Sequence, residues 1–178
     1  MHIVYSGALG EKQNPWKLIE FFERMCRDVD NVICHIFSRG PLFDKIISSF
    51  RSKQLDRLRF HAFVSEDSSL ELFEKSTVHV VPQASGVGAG AFPSKLPNLL
   101  SQGVPVFAVC DDDCELASVV NEISYGKVVT MWDVEVMVDA MKDFLAEVKD
   151  VDHVRFQKVF KDSHRDKFDV DYLVSSII

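Results

Sequence analysis

The sequence predicts an α/β protein built on a doubly wound parallel sheet of about six strands with helices on both faces. Three observations carry this prediction. Short apolar runs alternate along the chain with segments of helical spacing. The runs are continuously apolar instead of alternating with polar residues, as strands are when helices cover both faces of a parallel sheet. Turn and cap residues punctuate the changeovers, among them Gly7, Asn14-Pro15 and Ser38-Arg39-Gly40.

The elements follow in order. His2–Ser6 (HIVYS) is a buried strand stopped by Gly7. Over Pro15–Arg27 the residues Trp16, Ile19, Phe22 and Cys26 recur near helical spacing, with Asn14 as cap and Pro15 at the first helical position. Asn31–Phe37 is the second strand, Pro41–Phe50 a helix and Leu58–Phe63 the third strand. A helix capped by Ser65 runs to Lys75, its Ser68-Ser69 leading to Glu71. Val78–Val81 and Val104–Val109 are β-branched strands on either side of a glycine-rich loop and a further helix. Cys114–Asn121 is a short helix and Gly126–Thr130 the last strand. From Asp133 onward, Val134, Met137, Val138, Met141, Phe144 and Leu145 form one helical stripe, and two helical segments follow near Val151–Ser163 and Val170–Ile178.

Composition bounds the function. The chain has 178 residues, 47% hydrophobic and 26% charged, which suits one soluble domain over 1–178 with a sizeable core. Its net charge of −7 argues against general nucleic-acid binding, which favours a basic face. No stretch reaches the ~20 apolar residues that span a bilayer. The four cysteines, Cys26, Cys34, Cys110 and Cys114, show no disulfide framework, so a reduced cytoplasmic setting is expected.

Chemistry concentrates between Val78 and Cys110. Gly86, Gly88 and Gly90 alternate in a loop where backbone can approach a ligand closely. Pro97 must lie in the first turn of the next helix, because its nitrogen cannot donate. Ser94 is then the expected N-cap and Lys95 the first helical residue, with the amides of Lys95 and Leu96 open to an anion. On that helix Leu96, Leu99 and Leu100 share the side that packs on the sheet, and Lys95, Asn98 and Gln102 the other. The loop Ser6–Gln13 carries Gly7, Gly10 and Lys12, and lies beside the first site if the first and fourth strands are neighbours. Lys12 there would offer a second positive charge to a diphosphate.

Other signals carry less. Asp111-Asp112-Asp113 contains the Asp-x-Asp spacing that can hold a metal-bound diphosphate, but directly after a strand it reads as an acidic turn. Cys110 and Cys114 lack two further spaced ligands for zinc. His35, His61 and His79 read as core-edge residues of strands, and Trp16 and Trp132 as helix-packing residues.

With these residues in view, the chain resembles the C-terminal, nucleotide-sugar-binding domain of the GT-B glycosyltransferases of the family 4 group, nearest the exopolysaccharide (colanic-acid) type. The likeness rests on YSGALGEKQ (Tyr5–Gln13), VVPQ (Val80–Gln83), PSKLPNLLSQGVPVFA (Pro93–Ala108) and Glu115-Leu116-Ala117, and spans roughly Ile3 to Val129. It implies transfer of a sugar from a UDP- or GDP-linked donor to a hydroxyl acceptor, without a metal. It implies that Lys12 and Lys95 face the phosphates, that Gly88 and Gly90 approach donor closely, that Asn98 meets the ribose and that Glu115 shapes the neighbouring loop. The sequence departs from the pattern at three places. Gly90 and Asn98, eight positions apart, stand where many members carry glutamates, and Ala8 stands where an arginine is common.

The resemblance further implies a fragment: members have a second, N-terminal domain that binds the glycan or lipid-linked acceptor, and the whole protein would be cytoplasmic or peripheral at the inner membrane face. The isolated domain would then bind donor without transferring sugar. The alternative is a non-catalytic nucleotide-sugar-binding or protein-interaction module on the same fold, favoured by Gly90 and Asn98. A dinucleotide-dependent oxidoreductase fits less well, since GALG follows the first strand and Phe37-Ser38-Arg39, with no acidic residue, ends the second.

Overall fold

A computed structural model describes residues 1–50, 56–64, 71–87, 92–149 and 154–158. The strands are β1 (His2–Ser6), β2 (Ile33–Ser38), β3 (Leu58–Ala62), β4 (Val78–Pro82), β5 (Val106–Val109) and β6 (Gly126–Val129). The helices are α1 (Pro15–Asp28), α2 (Pro41–Phe50), α3 (Leu96–Ser101), α4 (Glu115–Asn121) and α5 (Val134–Val148). Residues 71–74 and 154–158 are also helical. The sheet is parallel throughout, in the order β3-β2-β1-β4-β5-β6. The chain thus runs outward from β1 to β3, then restarts at β4 beside β1, and the two halves diverge at this switch point.

Alternation along each strand divides the apolar residues between two cores. Ile3, Tyr5, Ile36, Val80 and Phe107 pack with α1, α2 and α5. Val81, Val106, Ala108 and Cys110 pack with Phe73, α3 and α4 on the opposite face. Phe107 lies between helices α1 and α5, stacked on Phe21 at 5.9 Å and tilted to Phe144 at 6.3 Å. The predicted stripe of α5 is buried from Val134 to Leu145, and Asp133 caps this helix by accepting from the amides of Glu135 and Val136.

Three local expectations change. Asn14 occupies the N-cap position of α1 but makes no side-chain bond; it takes a left-handed conformation (φ 45°) after the single 3-10 turn Glu11–Gln13, leaving Pro15 to start the helix. Trp16 is 48% exposed instead of packing between helices. Cys114 caps α4, its sulfur accepting from the Ala117 amide. All four cysteines are free and buried. The Ser65 cap and the segment Val170–Ile178 lie outside the described residues, as does most of Val151–Ser163.

Candidate active site at the switch point

The carboxyl ends of β1 and β4 border a cleft of about 320 Å³. Its walls come from Ser6–Ala8 after β1, Arg39 after β2, Phe63 after β3, His79–Pro82 of β4, and Pro93–Lys95 before α3. Sheet order brings these five chain segments together.

The two loops predicted to be neighbours are joined through backbone. The Ala84 amide donates to the Lys12 carbonyl at 2.8 Å. The first loop is closed on itself by reciprocal bonds between Gly10 and Gln13. Gly7 extends the β1–β2 ladder by donating to the Phe37 carbonyl. A Cβ on Gly7 would stand 3.0 Å from the Tyr5 hydroxyl, which donates to the Ala8 carbonyl. Glycine therefore lets the phenol pack beneath the loop that borders the cleft.

Lys95 reaches the floor of the cleft. Its ammonium donates to the Ser6 hydroxyl at 3.1 Å and stands 4.9 Å from the centre of the Phe63 ring. Arg39 places its guanidinium 4.7 Å from the same ring. An aromatic face attracts a cation, so Phe63 gathers two cationic side chains from distant parts of the chain. Beneath them His79, 1% exposed, stands with Nε2 3.3 Å from the Ser6 hydroxyl. Burial, with the Lys95 ammonium adding to it, pushes the His79 pKa down to about 3, so the ring is neutral. A cleft with two cations and, among the described residues, no carboxylate on its walls can take up an anionic ligand.

The start of α3 differs from expectation. Lys95, not Ser94, holds the N-cap position, and no side chain caps it. The Leu96 amide donates to the Pro93 carbonyl at 2.9 Å, so a Pro93–Leu96 turn takes the bond left for an anion. Positive charge comes instead from the Lys95 side chain. Leu96, Leu99 and Leu100 are fully buried, as their spacing required.

The predicted residues separate into groups. Gly7, Ser94 and Lys95 border the cleft. Lys12 contributes its carbonyl to the loop junction, while its side chain is exposed outside the lining. Asn98 and Glu115 are exposed and stand outside the lining. Gly88 and Gly90 lie outside the described residues. Asp111 does more than turn the chain: its carboxylate accepts from the Gly86 amide at 2.7 Å. Arg39, Phe63, Ser6 and His79 were not singled out from sequence as site residues. Their signal was position, since each lies at or next to the carboxyl end of a strand, except His79, which lies within β4.

Comparison with known proteins agrees with this fold. The colanic acid biosynthesis glycosyl transferase WcaI, as it is named in Escherichia coli strain K12, is 32% identical over 101 residues, 57% of this chain and 24% of that protein. The lipopolysaccharide outer core galactosyltransferase WaaB superposes with a TM-score of 0.72 at 16% identity, over 99% of this chain and 47% of that one. A mutant of S. aureus TarM, solved with Fondaparinux, alpha-GlcNAc-glycerol and UDP, gives 0.69 at 15% identity, over 99% and 34%. The catalytic domain of cholesterol-alpha-glucosyltransferase from Helicobacter pylori gives 0.64 at 13% identity, over 92% and 96%. At these identities the structures attest the fold, of the GT-B type, and the chain spans about a quarter of WcaI and under half of WaaB and TarM. The profile of the glycosyl transferases group 1 matches residues 2–156, and the chain belongs to that family.

Proposed function

We propose that this chain is the donor-binding domain of a glycosyltransferase that moves a sugar from a UDP- or GDP-linked donor to a hydroxyl acceptor in polysaccharide or glycan synthesis. The observation that carries this reading is the Lys95 ammonium, held at the switch point of the sheet beside Arg39 and the Phe63 ring. Lys95 takes up diphosphate oxygens, with Arg39 as its partner. The backbone at Gly7, Gly88 and Gly90 lets the donor come close, Ser94 offers a hydroxyl at the rim, and Lys12, Asn98 and Glu115 shape the surroundings. The two cations meet the diphosphate charge without a metal. The UDP bound to TarM supports a uridine donor by analogy. The acceptor, a glycan or lipid-linked sugar, is bound by a further domain, and the whole protein works in the cytoplasm or at the inner face of a membrane. Among the described residues no helix is long and apolar enough to cross a membrane.

Titration calorimetry with UDP and GDP tests the reading. Saturable binding of one of them, weakened about tenfold or more by Lys95→Ala, is expected from the loss of a charge-assisted bond. No binding of either would sink it. Asn98 favours a second reading, a binding module without transfer activity, because an amide stands where the resemblance places a glutamate in many members. Donor binding by a full-length protein that transfers no sugar would favour this second reading.

A further inference from the structure

We infer that His79 is a positioning residue for Lys95, acting through Ser6. The inference rests on the reading of Lys95 as a diphosphate ligand and adds the device that sets where its ammonium stands. An ammonium only donates, so in the bond between Lys95 and Ser6 the hydroxyl oxygen accepts. The hydroxyl proton of Ser6 is then left for a second partner, and His79 Nε2, 3.3 Å away, accepts it in the tautomer that the inference assigns to this ring. The chain therefore runs Lys95 N–H to Ser6 O–H to His79 Nε2, with the imidazole proton on Nδ1. All three polar groups point one way, so each bond polarises the next.

The burial of the two inner members makes the arrangement rigid. Ser6 is 6% exposed and His79 1%, and the Phe73 ring stands nearly perpendicular to the imidazole, 5.6 Å between ring centres. His79 Nδ1 has no hydrogen-bond partner among the described residues. A histidine kept for packing alone has no need of polar atoms at this depth, where an unpartnered one is costly. A valine or leucine in its place would avoid that cost and lose the acceptor for Ser6. An ammonium has three donors, so Lys95 can keep its bond to Ser6 while it takes up a phosphate oxygen. The effect of the relay is to present the ammonium ready-placed.

Two measurements test this separately. In calorimetry, His79→Phe and Ser6→Ala each weaken binding of the nucleoside diphosphate about three- to tenfold, the worth of one hydrogen bond. His79→Gln, which returns a polar atom near Nε2, recovers most of the loss. Without nucleotide, competitive acetylation of Lys95 across pH reads the ammonium directly. Its reactivity profile shifts in His79→Phe and Ser6→Ala and returns towards wild type in His79→Gln. An acetylation profile unchanged in both variants, with thermal unfolding showing both folded, overturns the relay. So does a binding loss that His79→Gln fails to recover while its fold is intact. Wild-type protein that binds no nucleoside diphosphate sinks the donor-site reading itself, and acetylation still decides whether the relay exists.

Discussion

The Gly86 amide donates to the Asp111 carboxylate at 2.7 Å, tying the glycine-rich loop after β4 to the end of β5. The two strands pair as far as Pro82 and Val109, so the bond continues the sheet's order into the loops. Gly86 holds φ at 76°, a conformation that suits glycine and bends the loop just after the bonded amide. Asp111→Ala should free the start of the loop and cost about 1 kcal/mol or more, as for a bond to a charged acceptor at a partly exposed site. Hydrogen exchange at the Gly86 amide reads it: exchange should speed up in Asp111→Ala and less in Asp111→Asn. Equal protection in all three proteins would mean that the carboxylate does not hold the loop.

Gly126 opens β6 under the C-terminal end of α4. A Cβ there would collide with the Val120 carbonyl oxygen and press on the side chains of Ile123 and Val120. The Val120 oxygen is backbone and cannot swing aside. Gly126→Ala should therefore destabilise the fold by about 1–3 kcal/mol, as overpacking does. The urea midpoint should fall with an unchanged slope. Nucleotide affinity should stay the same, because β6 is an edge strand that does not border the cleft.

The strands and the helix faces were legible because burial on both faces writes itself into sequence. HIVYS and VFAV have no polar alternation to misplace, and Leu96, Leu99 and Leu100 can share only one side of a helix. The start of α3 was misjudged because Pro97 limits the first turn without choosing among its positions. The Pro93 carbonyl then took the Leu96 amide, a backbone turn that no side-chain pattern announces. Lys95 was found because it adjoins a recognisable loop. Arg39, Phe63 and His79 were missed because each sits in a different crossover unit, and only the order β3-β2-β1-β4 sets them on one rim. His35 and His61 read as unrelated core-edge residues, and His2 only as the start of a strand, until strand register set the three on neighbouring strands.

Arg39 and Lys95 share the Phe63 ring but differ in exposure. Arg39 is exposed, while Lys95 is partly buried and bonded to Ser6. Removing Arg39 should therefore cost less nucleotide affinity than removing Lys95, and the loss should shrink as salt rises, because exposed charges are screened. Calorimetry of Arg39→Ala at low and high ionic strength checks both points, with about a two- to fivefold loss at low salt expected for a screened contact. Phe63→Leu should loosen both cations and weaken binding at either salt concentration. An Arg39→Ala loss independent of salt would place the guanidinium on the nucleotide in a dry contact instead.

His2, His35 and His61 form a diagonal chain across β1, β2 and β3. His2 Nδ1 lies 3.0 Å from His35 Nε2, and His35 Nδ1 lies 3.0 Å from His61 Nε2. Each contact needs one donor and one acceptor nitrogen. One added proton can be held on His35, which then donates both ways, but a second would set two N–H groups against each other. Burial and the neighbouring imidazoles push the His35 pKa down to about 4, with Arg59 adding to the repulsion, and His2 and His61 are lowered too. Lys75 lines a second cavity together with the three histidines, and its ion pair with Glu71 partly offsets its charge. The unfolded chain, with histidines near 6.5, binds more protons than the folded one below that pH. Stability is therefore full above about pH 6.5 and falls as the pH drops towards 4. With the ring partly exposed and screened, the share from His35 is on the order of 1–2 kcal/mol. Urea unfolding of wild type and His35→Gln between pH 7.5 and 4.5 isolates this share from the carboxylates. The difference between the two proteins should narrow, or change sign in favour of the variant, as the pH falls; a difference constant across the range would show that the chain takes up no proton on unfolding.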